Sequence, residues 1–107
     1  MILHKNHDSN VQEMIIVLLK DSKIGIHKHP IGKPESYHVI EGILKVKIYD
    51  EKGKIENEII LEKNKNSFLH NPGDIWHEPE AISDVVIYHE VYTGPFEKNL
   101  DVVYLLD

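Results

Sequence analysis

The chain has 107 residues and a formal net charge of −6, with 12 lysines and no arginine. The acidic balance argues against nucleic-acid binding, which needs a basic face, and the lack of arginine disfavours ligands held by a guanidinium fork. The absence of cysteine excludes disulfides, thiolate catalysis and cysteine-ligated zinc. Isoleucine and valine together number 24 while alanine occurs once, so the composition favours strands over helices. We predict one all-β domain over residues 1–107.

The first ten residues, MILHKNHDSN, are polar and lack the apolar core of a signal peptide. The longest apolar run, Met14 to Leu19, is far shorter than the roughly 20 residues needed to cross a bilayer. These features predict a cytoplasmic protein that has no membrane partner. A short N-terminal segment precedes the predicted barrel core, which spans about residues 11–96.

Turn signals recur at short intervals after residue 20 and separate short apolar runs, which is the pattern of a β-sandwich or barrel. In ILKVKIYD, residues 43–50, the side chains of Leu44, Val46 and Ile48 fall on one face and predict a half-buried antiparallel strand. The DEKGK that follows, residues 50–54, has the composition of a hairpin turn.

The C-terminal third contains two further apolar segments. Residues 85–92, VVIYHEVY, are mostly apolar on both faces, which predicts a central strand. Odd-numbered positions, including His89, form one face of this strand, and even-numbered positions form the other. The tail at residues 99–107, NLDVVYLLD, is apolar enough to form a strand or to cover a neighbour. In a monomer this tail would pack on its own barrel, and in a dimer it would pack across the interface; the sequence leaves both open.

Three histidines and one glutamate form the strongest candidate site. His27 and His29 are two residues apart, so on a strand both imidazoles point to the same face. Glu35 follows across a turn, and His77 ends the distant turn NPGDIWH. Three imidazoles and one carboxylate suit a divalent first-row metal, and we predict Zn, Mn, Fe or Ni at His27, His29, Glu35 and His77. The alternative is a metal-free barrel whose polar residues bind a ligand directly.

These residues resemble a known family. HKHPIGKPESYHVIEG, residues 27–42, is similar to the first motif of the cupins, and PGDIWH, residues 72–77, is similar to the second. The likeness covers roughly residues 11–96, and within the cupins it is greatest to small bacterial metalloproteins of the WbuC type. It implies a double-stranded β-helix, a jelly-roll barrel whose metal is held by the four residues predicted above. It also implies, weakly, a link to surface-polysaccharide and other carbohydrate metabolism.

The second motif departs from the cupin pattern at its turn. Gly73 lies one residue after Pro72, and Asp74 occupies the usual glycine position. Asn66 replaces the glycine that commonly opens this motif, and Ala81 replaces a frequent asparagine. These changes affect the turn and the pocket rim and leave the four predicted ligands in place.

Further side chains are candidates for the pocket. Tyr37 shares the parity of Glu35 and is expected to point inward, as a pocket or core residue, whereas His38 is expected to face outward. His70 and Trp76 are pocket or rim candidates, and the indole could stack on a sugar or an aromatic ligand. His89 is predicted to be a core histidine, a partner of the metal ligands or a proton carrier. Tyr37 and His89 are the candidate catalytic residues.

Two classes of function fit this site. The first is a metal-dependent isomerase, lyase or dioxygenase that acts on a small polar molecule such as a sugar or a hydroxy or keto acid. The second is a non-catalytic, metal-anchored module that binds or senses a small ligand. A sugar-nucleotide isomerase is a third alternative, and the lack of arginine disfavours it. We also expect a homodimer to which the outward apolar positions Ile40 and Ile43 contribute.

Overall fold

The computed structural model describes residues 1–22 and 24–105, and within them the chain is almost entirely β-structure. The elements, in chain order, are β1 Val11–Leu19, β2 His27–Lys28, β3 Glu35–Glu41, β4 Ile43–Tyr49, β5 Ile55–Glu62, β6 Phe68–Asn71, β7 Trp76–Ala81, β8 Val85–Thr93, the helical turn α1 Lys98–Asp101 and β9 Val103–Tyr104. The predicted all-β class is therefore confirmed. No helix in this described part of the chain is long and apolar enough to cross a membrane.

The strands form two antiparallel sheets that pack face to face. One sheet has four strands in the order β1-β8-β3-β6, and the other has five strands in the order β5-β4-β7-β2-β9. Consecutive strands alternate between the sheets except at the β4–β5 hairpin, so the chain winds as the double-stranded β-helix that the sequence predicts.

The hydrophobic core lies between the two sheets. Leu44 and Val46 of β4 are fully buried and Ile48 packs against the same cluster, as the alternation in this segment predicts. From the facing sheet, Val86 and Tyr88 of β8 complete the core. Burying an aliphatic side chain of this kind stabilises a fold by roughly 1.5–3 kcal/mol. This core is the rigid support on which the candidate site is built.

Strand β8 is central, as predicted, because it pairs with β1 on one side and with β3 on the other. Its even-numbered face points into the barrel, where Val86, Tyr88 and Tyr92 are buried. Its odd-numbered face points outward, and Val85 is exposed. The two large tyrosine rings decide the orientation, since they bury more apolar surface than the valine and isoleucine of the other face.

Two turns have the backbone geometry that their sequences require. In the hairpin between β4 and β5, the carboxylate of Asp50 accepts hydrogen bonds from the backbone N–H groups of Lys52 and Lys54 at 2.8 and 2.9 Å. In the turn before β7, Gly73 and Asp74 have left-handed φ angles of 97° and 56°. Aspartate is one of the few residues that tolerate this region, so Asp74 can stand at the usual glycine position.

The turn before β7 is tied to β2 through Asp74. Its backbone N–H donates to the carbonyl oxygen of His29 at 2.7 Å, and its carboxylate lies 3.2 Å from the ammonium group of Lys28. A Cβ atom on Gly73 would lie 2.7 Å from the carbonyl oxygen of Pro30. This close approach holds the segment that carries His77 against the segment that carries the other two histidines.

Both ends of the chain pack on the barrel. At the N-terminus, the backbone N–H of Leu3 donates to Glu13 of β1 at 2.8 Å. At the C-terminus, β9 pairs antiparallel with β2, so that Tyr104 lies opposite His27. The sequence leaves open whether the tail packs on its own barrel or across a dimer interface, and residues 103–104 pack on their own barrel. Residues 106–107 lie outside the described part of the chain.

Candidate metal centre

The three predicted histidines converge inside the barrel. His27 of β2 lies directly opposite His77 of β7 in the strand register, and their ring centroids are 4.4 Å apart. His29 follows β2, and its ring centroid lies 5.3 Å from that of His27 and 5.5 Å from that of His77. All three are buried, and each offers a ring nitrogen within 4.8 Å of the others.

Backbone carbonyl groups hold the Nδ1 atom of all three rings. The Nδ1 atoms face Gly25 O at 3.0 Å for His27, Asp101 O at 2.6 Å for His29, and Ile75 O at 2.8 Å for His77. A carbonyl oxygen only accepts hydrogen bonds, so each Nδ1 carries a proton, and a metal would bind at Nε2 after the loss of any second proton that Nε2 donates to Glu35. This arrangement is typical of histidines that ligate a metal, whose second nitrogen is held by a protein acceptor.

Glu35 of β3 lies against the Nε2 atoms of two of these rings. Its Oε1 is 2.8 Å from His77 Nε2, and its Oε2 is 2.8 Å from His29 Nε2. The hydroxyl of Tyr37 donates to Oε1 at 2.7 Å, and the amide of Asn71 donates to the same oxygen at 3.4 Å. The donor set of three imidazoles and one carboxylate fits a divalent first-row metal.

The ionisation of the cluster follows from burial and from these contacts. Burial, reinforced by the neighbouring His77 ring, lowers the pKa of His27 to about 4, so this imidazole is neutral at neutral pH. Burial is the largest influence on His29 and lowers its pKa, but the hydrogen bond to Glu35, the charge of that carboxylate and the hydrogen bond to the Asp101 carbonyl together outweigh burial and raise it. Burial likewise raises the pKa of Glu35, but the hydrogen bonds and charge interactions with His29 and His77 together outweigh it and lower the pKa. A metal would therefore have to displace a proton from His29.

A cavity of about 300 Å³ opens beside the histidine cluster. Its walls come from the N-terminal segment, β1, β8 and the C-terminal segment. The apolar wall consists of Ile2, Met14, Ile24, Phe96, Val102 and Tyr104. The polar lining consists of His4, His7, Gln12, His27, His29, Glu35, Glu90 and Tyr92. A second hollow, of about 910 Å³ and lined in part by Lys33 and Leu100, contains none of the histidine cluster.

Two of the polar lining residues, Glu90 and Tyr92, come from the inward face of β8. Burial and, to a smaller extent, the nearby Glu35 carboxylate raise the pKa of Glu90 to about 8. Neither residue follows from the sequence prediction, because both faces of this strand are apolar and only the packing of Tyr88 shows which one is inside. Once Tyr88 is known to be buried, alternation along the strand places both residues in the cavity.

Asp101 of α1 connects the C-terminal segment to the candidate metal centre. Its carboxylate is fully buried and accepts hydrogen bonds from Lys33 Nζ at 2.7 Å, from the Tyr92 hydroxyl and from the backbone N–H of Glu97. Its backbone carbonyl holds Nδ1 of His29. The sequence carries no signal for this residue, because nothing local links it to a histidine 72 positions earlier.

Tyr37 points inward as predicted but supports the carboxylate of Glu35 instead of lining the cavity. Three other pocket predictions need correction. His70 is exposed beside Ser36, because Asn71, the next residue on β6, takes the inward position. Trp76 faces away from the side of His77; its indole N–H donates to Glu51 at 3.3 Å, and the ammonium group of Lys28 lies 4.6 Å from the ring centroid.

His89 also lies outside the cavity. It stands on the outward face of β8, with its Nε2 3.1 Å from the carboxylate of Glu13 on the neighbouring strand. Neither a core position nor contact with the predicted metal ligands is found for it. By contrast, His38 is exposed, as its parity predicts.

The double-stranded β-helix and the buried cluster of three histidines at one end of it together define a cupin-fold protein with a candidate metal centre. Within that class, the chain belongs to the family described as Domain of unknown function (DUF6016), whose model matches residues 1–61. No curated protein matches the sequence.

Several solved structures share the fold. The capsular polysaccharide assembling protein CapF from Staphylococcus aureus matches with a TM-score of 0.74 and 17% identity, over 98% of this chain and 32% of CapF. Bacillus subtilis oxalate decarboxylase, a protein with Mn(II) centres, matches with a TM-score of 0.70 and 15% identity, over 90% of this chain and 24% of the decarboxylase. Protein NMB1881 from Neisseria meningitidis matches with a TM-score of 0.64 and 15% identity, over 88% of this chain and 82% of that protein. The chain thus spans a third or less of the first two, and all three likenesses show the cupin fold alone.

Proposed function

We propose that the protein holds a divalent first-row metal ion at His27, His29, Glu35 and His77 and uses it to bind or transform a small polar molecule. One observation carries this proposal: three backbone carbonyls hold the Nδ1 atoms of the three buried imidazoles, which leaves Nε2 of each ring as the nitrogen that would ligate the metal. The Mn(II) centres of a structurally similar protein support the same chemistry. Zinc, manganese, iron and nickel all accept such a donor set.

A bound metal ion would act as a Lewis acid that polarises an oxygen atom of the ligand. Glu35 would offset part of the charge of the ion. Tyr37 and Asn71 hold this carboxylate in place through their hydrogen bonds. The apolar wall of the cavity excludes water from the reacting atoms, which strengthens electrostatic interactions there.

The proposed ligand is a sugar or a hydroxy or keto acid of a size that fits a cavity of about 300 Å³. A role in surface-polysaccharide metabolism is supported by the structural likeness to a capsular polysaccharide assembling protein and by the resemblance to the WbuC type. If the protein is an enzyme, we propose isomerase, lyase or dioxygenase chemistry. A sugar-nucleotide substrate is less favoured, because no lysine in the described part of the chain lines this cavity and the chain has no arginine to hold a diphosphate.

A non-catalytic binding or sensing module is the second candidate. It is favoured by the position of the two candidate catalytic residues, since Tyr37 is covered by Glu35 and His89 faces outward. Prolonged incubation of the metal-loaded protein with a bound ligand distinguishes the two. Recovery of the ligand unchanged supports the module, and turnover supports the enzyme.

The metal site is tested by measuring the metal content of protein purified without a histidine tag. The test variants are His27→Ala and His77→Ala, and the matched controls are His70→Ala and His89→Ala, which remove histidines outside the cavity. We expect about one equivalent of metal in the wild type and in both controls and a large loss in both test variants, with circular dichroism confirming that all four remain folded. Unchanged metal content in the test variants would contradict the proposed site.

We further propose a cytoplasmic homodimer with a small-molecule ligand and with no nucleic-acid or membrane partner. Ile40 is 42% exposed on the outer face of the four-stranded sheet, and Val17 and Phe68 are exposed on the same sheet. Ile43, on β4, is only half-buried. Light scattering at micromolar concentration should give the mass of a dimer, and an Ile40→Lys variant should give that of a monomer.

A further inference from the structure

Glu90 is the one carboxylate that lines the cavity without a hydrogen-bonding or ion-pair partner among the described residues. It projects from β8 into the same space as His29 and Glu35, and across the sheet it lies opposite Met14 on one side and Tyr37 on the other. The neighbouring cavity carboxylate, Glu35, is by contrast held by two histidines and a tyrosine. A carboxyl group left without a protein partner in a ligand cavity is available to a ligand.

The charge of the cavity restricts which ligand this is. No lysine lines it among the described residues, and the chain contains no arginine. The nearby Lys33 is occupied by the Asp101 carboxylate and by the carbonyl oxygen of Pro95, both at 2.7 Å. An anionic group placed far from the metal would therefore meet Glu90 and, among the residues that the structure describes, no lysine to offset its charge.

The opposite wall is apolar. It is formed by residues from both ends of the chain, including Ile2, Phe96 and Tyr104. A ligand with hydrogen-bonding groups on every side would leave some of them unsatisfied against this wall, at a cost in affinity. A ligand with one apolar side would instead bury it there.

We propose that the cavity selects small molecules that present a hydroxyl or amino group to Glu90 and an apolar part to the opposite wall, and that it discriminates against dicarboxylates. This inference rests on the proposed metal-dependent function and names its ligand class. Burial and the Glu35 carboxylate raise the pKa of Glu90, and a hydrogen-bond donor from a ligand would offset both effects. The selection depends on the carboxyl group of Glu90 and not on the ligands of the metal.

The test compares three probes of equal carbon number: propane-1,2-diol, 1-aminopropan-2-ol and malonate. Each is titrated into the zinc-loaded full chain while backbone amide shifts are followed by NMR, so that affinity and location are read together. The variant is Glu90→Gln, which removes the carboxyl group and keeps the size. The matched control is Glu13→Gln, the same change on the outward face of the adjacent strand.

We expect the diol and the amino alcohol to shift the amides of residues 88–92 in the wild type. In Glu90→Gln, the preference for the amino alcohol over malonate should fall by about tenfold, the usual effect of losing one charged hydrogen bond. Glu13→Gln should leave this ratio unchanged. The inference would be overturned if Glu90→Gln lost the same affinity for the amino alcohol and for malonate, or if the ratio of these two affinities stayed unchanged. It would also be overturned if neither the diol nor the amino alcohol bound to the wild type.

Metal content separates this inference from the proposed function. Glu90→Gln should retain its zinc, because in the described part of the chain no hydrogen bond or ion pair joins this carboxyl group to the proposed metal ligands; loss of zinc would overturn its assignment as a ligand-facing group. If the wild type binds no metal, the proposed function fails, and the probe ratio in the metal-free protein still decides whether Glu90 sets the preference. If Glu90→Gln weakens the binding of the amino alcohol alone, the ligand group that donates to Glu90 is the ammonium. If it weakens the binding of both the diol and the amino alcohol, that group is a hydroxyl.

Discussion

Replacing Tyr37 with phenylalanine tests whether the buried hydroxyl holds the carboxylate of Glu35 in position. In the structure the hydroxyl donates to Glu35 Oε1 at 2.7 Å and lies 3.2 Å from His77 Nε2, with the whole side chain buried. A hydrogen bond to a charged group contributes about 1.5–3 kcal/mol to stability. Because the same oxygen keeps its contacts with His77 and Asn71, we expect a loss near the lower limit, about 1.5 kcal/mol.

This loss is measured by chemical denaturation of metal-free protein in the presence of a chelator, and it corresponds to a fall in Tm of roughly 6 °C for a chain of this size. The metal affinity, measured separately by competition with a chromophoric chelator, should fall by about tenfold, because Glu35 loses part of the support that orients it. Tyr49→Phe is the matched control, since its hydroxyl donates to Glu78 at 2.9 Å in a partly buried position away from the cavity.

Tyr49→Phe should cost less than about 1 kcal/mol and should leave the metal affinity unchanged. The reasoning about Tyr37 is refuted if Tyr37→Phe retains both the stability and the metal affinity of the wild type. It is also refuted if the two tyrosine variants lose the same metal affinity, since the effect would then not depend on contact with Glu35.

Three further results are expected. Asp101→Asn, which weakens the ion pair with Lys33, should lower metal affinity through His29 by about tenfold in a chelator competition assay, whereas Asp74→Asn at the exposed ion pair with Lys28 should not. Gly42→Ala should destabilise the fold by more than about 3 kcal/mol in urea, because a Cβ would lie 2.3 Å from Val85 O, and Gly32→Ala, with a similar φ but open space, should cost only about 1 kcal/mol. In a chelator, lowering the pH from 6.5 to 4 should remove about 2.5 kcal/mol more from the free energy of unfolding of the wild type than from that of His27→Gln, because His27 has a pKa of about 4 when folded and its ordinary value when unfolded, whereas Glu90, with its raised pKa, titrates in both proteins. An unchanged affinity in Asp101→Asn, equal costs for the two glycines, or the same pH profile in the wild type and His27→Gln would contradict the respective prediction.

Much of the fold follows from local patterns. The alternation of Leu44 and Val46 predicts a half-buried strand, and both side chains are fully buried. The apolar character of residues 85–92 predicts a central strand, and β8 pairs on both sides. These predictions succeed because one strand and its alternation contain all the information that they need.

The candidate site is less completely encoded in local pattern. The shared face of His27 and His29 follows from parity, but the position of His77 opposite His27 depends on the register of two distant strands. The pattern does not identify Glu90, because the opposite face of its strand is equally apolar. The pocket role considered for His70 is wrong, because the pairing of β6 with β3 turns its neighbour Asn71 inward. The orientation of these side chains depends on strand pairing and tertiary packing, which cannot be predicted from short-range periodicity.

The hydrogen bond from His29 to Asp101 joins residues 72 positions apart. Contacts of such long sequence separation form late in folding, because the chain between the two residues must lose conformational entropy before the contact can stabilise the fold. A nascent chain therefore has His27 and His29 long before the carbonyl group that holds Nδ1 of His29. Metal loading should accordingly follow the docking of the C-terminal turn, and amide hydrogen exchange at residues 100–104 should slow when metal is added.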